Sequence, residues 1–209
     1  MNVAWYEHIE PPPPAYFIGL DLGQAQDPTA LAVIERRGDT KTGICHVPQL
    51  KRYPIGTAYG DIVADLAAKM EKAPEDTMLI VDGTGVGRAV TDMIFTHPGF
   101  QQSNIQAVTI TAGNDETRAG RYWKVPKRNL VGSVQVLLQS KRLKIAESLA
   151  DTPVLTAELQ NFKVKITDAG NDVYGEWRAG KHDDLVLAVA LGCWAATHES
   201  INARWLWAW

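Results

Sequence analysis

Short apolar runs separated by amphipathic stretches set the plan of this chain. Tyr16 to Leu22 is almost unbroken in its apolar character and predicts a buried first strand. Thr29 to Arg37, rich in Ala, Val and Ile, predicts a second. Gly38-Asp39 and Gly43 bracket a hairpin turn, and a third strand runs through about residues 44–53. Three strands joined this closely imply an antiparallel meander. Ile62, Val63, Leu66, Ala67 and Met70 then recur at helical spacing, with Asp61, Asp65, Lys69 and Glu71 on the other side. Met78 to Val81 form a short apolar strand ending at Asp82. Gly83, Gly85 and Gly87 turn the chain into a helix reaching about Phe95, and Ile105 to Ile110 supply the next strand. A strand–helix–strand unit implies parallel pairing.

The second half is less regular. Residues 111–124 have little periodicity and read as a loop. Pro126 suits the first turn of a helix whose apolar face is Leu130, Val134, Leu137 and Leu138. Asp151, Thr152 and Pro153 start another, with Val154, Leu155, Leu159 and Phe162 facing inward. Phe162 to Ile166 and Asp172 to Trp177 read as a β-hairpin around Asp168-Ala-Gly-Asn. The last helix begins near Asp183 and runs to about His198. It is apolar nearly all round, so it is expected to be buried. The fold class expected is α/β: a mixed central sheet, three antiparallel strands and then parallel ones, flanked by helices, plus a C-terminal β-hairpin. Residues 1–14 form a tail or linker stiffened by Pro11 to Pro14, residues 15–198 the globular domain, and residues 199–209 an aromatic tail ending Trp205-Leu-Trp-Ala-Trp209.

Composition narrows the class only modestly. With 209 residues, 45% hydrophobic and 22% charged, the chain fits an ordinary globular protein. A net charge of −3 excludes a wholly basic nucleic-acid binder but leaves room for a local basic patch. Cys45 and Cys193 form no CxxC pair, so neither a disulfide framework nor a zinc finger is expected. No apolar stretch is long enough to span a membrane, the N-terminus shows no signal core, and a reducing cytoplasm is the default compartment.

The candidate chemistry lies in carboxylates at element boundaries. Asp21 ends the first strand, in Ile18-Gly-Leu-Asp-Leu-Gly23. Asp82 ends the fourth, in Leu79-Ile-Val-Asp-Gly-Thr-Gly85. Asp183 and Asp184 open the last helix, after His182. Taken singly, each has a plain structural explanation. Asp21 caps the Gly23 turn, Asp82 is a turn residue before a glycine-rich loop, and the Asp pair suits the helix dipole. Asp27 either caps the next turn or returns to the edge that carries Asp21. His182 reads as a surface residue or one that supports a neighbour. The joint order of two strand-end acids and a helix-start pair changes the picture. Acids that converge repel, and bound cations relieve the repulsion. All-carboxylate donors suit Mg²⁺ or Mn²⁺ rather than zinc. Basic residues that can hold phosphates are Arg118, Arg121, Lys124, Lys127 and Arg128 in one stretch, and Lys163, Lys165, Arg178 and Lys181 around the expected hairpin. Trp123 reads as core.

These pieces together resemble the C-terminal nuclease domain of the large terminase subunit of tailed bacteriophages, an RNase H-like domain of the retroviral integrase group. The resemblance spans roughly residues 16–197. It rests on Gly19-Leu-Asp21 with Asp27-Pro-Thr-Ala, Val81-Asp-Gly-Thr-Gly-Val-Gly87, Lys124-Val-Pro-Lys127 with Asn129-Leu-Val, Phe162-Lys-Val-Lys165, and His182-Asp-Asp-Leu-Val-Leu-Ala188. It implies a metal-dependent endonuclease that cuts double-stranded DNA during genome packaging, through two Mg²⁺ or Mn²⁺ ions. Asp21, Asp82 and Asp183 are the implied ligands, with Asp184 an auxiliary or alternative one and Asp27 a further acid nearby. No Walker sequence occurs, so the implied partners are an ATPase motor domain, the portal and the small terminase subunit, besides DNA. The implied location is the cytoplasm of the infected bacterial host. Three rival readings remain: an actin-like or sugar kinase-like ATPase, suggested by the two Asp-Gly loops; a Holliday-junction resolvase-like nuclease; and a non-catalytic module that docks on DNA or a portal.

Overall fold

Alternation of side chains divides the first strand between two cores. Strand β1 (Ala15–Asp21) sends Phe17 to one face of the sheet and Ile18 and Leu20 to the other. The computed structural model describes residues 12–23, 27–101, 103–161, 164–166, 172–174 and 183–202, without the side chains of 161, 164–166, 172–174 and 202. After β1 come β2 (Ala30–Arg37), β3 (Ile44–Arg52), α1 (Tyr59–Lys72), β4 (Met78–Asp82) and α2 (Gly87–Thr96). Next are β5 (Asn104–Thr111), β6 (Thr117–Ala119), β7 (Tyr122–Pro126), α3 (Lys127–Gln139), β8 (Leu143–Ile145) and α4 (Thr152–Asn161). Last are β9 (Val164–Ile166), β10 (Asp172–Tyr174), α5 (Asp184–Thr197) and α6 (Glu199–Asn202).

Eight strands make one mixed sheet in the order β6-β7-β5-β4-β1-β2-β3-β8. The meander β1-β2-β3 is antiparallel, β4, β5 and β7 run parallel to β1, and β8 adds a parallel edge beside β3. Strands β9 and β10 pair antiparallel with each other, and the turn expected between them at residues 168–171 lies outside the described residues. On one face α1 and α2 bury Ile62, Val63, Leu66, Val90 and Ile94. On the other, α3, α4 and α5 bury Leu130, Leu137, Leu155 and nearly the whole of α5. A layer on each side of the sheet follows from strands that are apolar on both faces.

Several expectations are corrected here. Residues 111–124 are not a plain loop: β6 and most of β7 lie there, and Trp123 is buried against Trp194 and His198. Helix α3 begins at Lys127, because Pro126 still pairs in β7 opposite Thr111. Leu138 and Val154, expected to face inward, are exposed. Residues 12–14 are exposed and have no regular structure, and the tail expected from residue 199 opens with α6. Residues 203–209 lie outside the described residues.

The placement of α5 decides where the site falls. Gly19 lets the helix backbone ride directly on β1: a Cβ there would lie 2.0 Å from the Ala188 carbonyl oxygen and 2.9 Å from the Gly192 nitrogen. Backbone cannot yield as a side-chain tip can. Gly19→Ala is therefore expected to push α5 off the sheet and cost about 1–3 kcal/mol or more, read as a lower urea midpoint.

Candidate active site

Register and face bring the first two acids together. Leu20 pairs with Val81 in the parallel β1–β4 ladder, so Asp21 and Asp82 end neighbouring strands at one level. Each shares its strand's face with the residues that pack under α5, Phe17 in β1 and Met78 and Ile80 in β4. Both are buried, at 8% and 9% exposure. Gly87 allows α2 to start tightly behind Asp82, since a Cβ there would meet the Asp82 carbonyl oxygen at 2.1 Å. The carboxyl end of a parallel sheet, beside a strand whose neighbours run in opposite directions, is where such folds place ligands.

Helix α5 brings the other acids to this edge. Asp183 is its N-cap residue, yet its side chain makes no capping hydrogen bond. Instead Lys127 Nζ, at the first position of α3, donates to Asp183 Oδ2 at 3.3 Å. Asp183 thus stands at the helix start, as the dipole reading has it, and also pairs with Lys127. Asp82 does serve the turn: its Oδ1 accepts the Thr84 N–H at 2.8 Å, and the Thr84 hydroxyl accepts the Ile110 N–H.

The electrostatics follow from burial and proximity. Burial pushes the Asp21 carboxyl well above its usual range, and Asp82, Asp183 and Asp184 push it further. Burial also raises Asp82, against the hydrogen bonds from Thr84. A hydrogen bond between the two carboxyls raises Asp21 and lowers Asp82. Burial raises Asp183 while Lys127 opposes it. Among the described residues, no group of three or more His, Cys, Asp or Glu side chains is placed to hold a metal ion. The donors are carboxylate oxygens alone, which fits a hard divalent cation.

Asp184 is placed differently. It is 3% exposed, and Arg52 grips it with Nε on Oδ2 at 2.7 Å and Nη2 on Oδ1 at 2.8 Å. The same Nη2 donates to Glu158 Oε1. Burial pushes the Glu158 carboxyl up to about 7, helped by Asp184. Sequence reasoning missed both Arg52 and Glu158. Asp27 is exposed on the connection from β1 to β2, whose residues 24–26 lie outside the described residues.

The basic residues do not form one patch. Arg118 stands opposite Trp123 and stacks on its ring, 4.8 Å from the centroid. Lys124 is the next residue along β7 and so faces the other side of the sheet, where Tyr122 meets Phe95 and Arg121 lies 4.6 Å over the Phe95 ring. Lys127 turns into the acid site, and Arg128 donates to the Asn114 carbonyl at 2.9 Å. The side chains of Lys163, Lys165, Arg178 and Lys181, and His182, lie outside the described residues. Trp123 is core, its Nε1 donating to Gln106 Oε1 at 2.9 Å. Another residue that sequence reasoning passed over, Glu116, fastens the β5–β6 connection. It accepts from Asn129 and Trp194 and pairs with His198.

This sheet order, with helices on both faces and acids at the ends of β1 and β4, is an RNase H-like α/β fold. Within that class it is the fold of large terminase nuclease domains. The chain is similar to the large terminase nuclease from thermophilic phage G20c with bound magnesium: 25% identity, 87% of this chain and 82% of that one covered, TM-score 0.61. It is similar in fold to the large terminase nuclease domain of bacteriophage SPP1 with bound Mn, at 14% identity, 85% and 84% coverage and TM-score 0.52. The human cytomegalovirus terminase nuclease domain shares the fold at 12% identity, 91% and 86% coverage and TM-score 0.54. No protein-family model and no curated protein matches the chain. Among the described residues, no helix is long and apolar enough to cross a membrane.

Proposed function

We propose that this chain is a divalent-metal-dependent endonuclease acting on double-stranded DNA, the nuclease part of a viral genome-packaging terminase. The observation that carries the reading is the pairing of Asp21 and Asp82 at one level and on one face of the sheet, under the N-terminus of α5, in a site where Asp82, Asp183 and Asp184 all raise Asp21. The fold shared with terminase nucleases solved with Mg or Mn supports it.

In this reading Asp21, Asp82 and Asp183 hold Mg²⁺ or Mn²⁺, two ions in all, with Asp27 near the site. Such ions supply Lewis acidity toward the attacking water and the leaving 3′ oxygen of a phosphodiester. The chain's own part is to hold the ligands and the DNA. Asp21 would hold a cation as its carboxylate, so its raised proton affinity would oppose binding at low pH. Thr84 keeps one Asp82 oxygen anchored, so the other stays turned toward Asp21. Lys127, which donates to Asp183, would place its ammonium at the site, suited to a phosphate oxygen. Three strand spacings of about 4.8 Å separate β1 from β7. Lys124 and Arg121 stand on the opposite, α2 face of the sheet, so they would meet a bound duplex only where its backbone passes around the β7 edge. The motor, the portal and the small subunit are the partners this role requires, and the cytoplasm of an infected bacterium is where they meet.

Supercoiled plasmid offered with Mn²⁺, Mg²⁺ or EDTA tests the reading. Nicking and linearisation with metal and none in EDTA are expected; nucleotide hydrolysis with no effect on DNA would favour the ATPase alternative. Duplex binding, measured at several salt concentrations, should lose about one unit of log–log slope for each of Lys124→Ala and Arg121→Ala. An unchanged slope would remove these residues from the DNA path.

A further inference from the structure

Two neighbouring acids open α5, and their surroundings separate their roles. Asp183 faces Lys127 and the acid pair. Asp184 has both carboxylate oxygens engaged by the Arg52 guanidinium, at 2.7 and 2.8 Å. A carboxylate held in such a fork cannot turn toward a cation without breaking two charge-assisted hydrogen bonds. Arg52 is itself held on two sides. Glu158 of α4 takes its Nη2, and Asp151, just before α4, accepts its backbone N–H at 3.3 Å. The second Glu158 oxygen accepts the Val186 N–H at 3.1 Å. Val186 lies in the first turn of α5, where backbone donors have no partner within the helix. Arg52 thus ties the end of β3 to the start of α5 through its guanidinium, and to α4 through Glu158 within the helix and Asp151 just before it. The cluster is buried: side-chain exposure is 5% at Asp184, 8% at Glu158 and 24% at Arg52.

Resting on the metal-binding reading above, we propose that Arg52, braced by Glu158, is a positioning residue. It withholds Asp184 from the cation and fixes the first turn of α5, so that Asp183 completes the site begun by Asp21 and Asp82. Arg52 touches neither metal nor DNA in this account; it acts through the angle at which Asp183 is presented. Lysine in its place keeps the charge but not the fork, and so should restore only part of the function.

The test is calorimetric titration of the full chain with Mn²⁺, for wild type, Arg52→Lys, Arg52→Met and Glu158→Gln. Circular dichroism and thermal melts in EDTA are recorded beside it. Residues that orient ligands typically change metal affinity by about 10–100-fold. Arg52→Met is expected to weaken Mn²⁺ binding at least about 10-fold with the helix signal intact, and Arg52→Lys to recover part of that loss. In cleavage assays the half-saturating Mn²⁺ concentration should rise more than the rate at saturating Mn²⁺ falls. If Arg52→Met does not fold, Arg52→Lys and Glu158→Gln carry the comparison. Folded variants that bind Mn²⁺ as wild type does, and differ only in melting temperature, would reduce Arg52 to a structural brace and overturn the proposal. A wild-type chain that binds no Mn²⁺ would instead overturn the metal reading itself.

Discussion

Asp21→Asn is expected to lower metal-dependent DNA cleavage by at least about 10³-fold, the loss of on the order of 4 kcal/mol of transition-state stabilisation. The same change should make the protein more stable in EDTA. The two effects share one cause. Asp21 is a buried acid crowded by Asp82, Asp183 and Asp184, and its carboxyl is pushed well above the ordinary value of 3.8. The folded chain therefore keeps a proton that the unfolded chain has already lost. Stability contributed by that proton is present below about pH 3.8, declines as pH rises toward the elevated folded value, and is gone above it. Asparagine has nearly the same shape, can donate its amide N–H to Asp82, and never ionises. At pH 8 in EDTA the variant should melt several degrees higher than wild type, by about 2–4 °C for each kcal/mol gained in a chain of this size. The advantage should shrink as pH falls. Thermal melts across pH 4–8 read this directly; a variant that melts lower than wild type at pH 8 would mean that Asp21 is not held under repulsion.

Added Mn²⁺ or Mg²⁺ should relieve the same repulsion in wild type and also raise its melting temperature. A cation that binds only the folded chain stabilises it by about 2.7 kcal/mol at a hundred times its dissociation constant, or roughly 5–10 °C in melting temperature. Asp82→Asn should lose most of this shift, because Asp82 is a direct wall of the site. The shift should also grow with pH. Binding requires the shared proton on Asp21 to leave, so the cation competes with a proton held more tightly than on an ordinary carboxylate. A shift that is the same at pH 5 and pH 8, or that survives in Asp82→Asn, would move metal binding away from these acids.

How much of this was legible in the sequence depends on the range of the interaction. Strands β1, β2 and β4 could be read because they are apolar on both faces and bounded by glycines. Helix α5 could be read because its apolar residues leave no polar stripe, which only a buried helix tolerates. Strands β6 and β7 could not. Arg118, Arg121 and Lys124 interrupt the apolar positions, and Trp123 and Val125 alternate over too short a span to establish a period. Strand β8 is only three residues long. Asp21 and Asp82 were identifiable because strand ends can be located along the chain. The difference in surroundings between Asp183 and Asp184 was not. It is set by Arg52, 132 residues from Asp184, and by Glu158, 106 residues from Arg52, and no local pattern records such a contact. Lys127 likewise read as one of a basic run and proves to face the acids, because β7 ends and α3 begins at that residue.

The most direct test of the central claim is a crystal of the full chain soaked in Mn²⁺, with anomalous difference density calculated from diffraction at the manganese edge. The account predicts peaks bounded by the carboxylates of Asp21, Asp82 and Asp183, with Asp184 still on Arg52 and Lys127 drawn away from Asp183. Well-ordered acids with no anomalous peak between them, or manganese bound elsewhere while Asp21 and Asp82 still share their hydrogen bond, would contradict it.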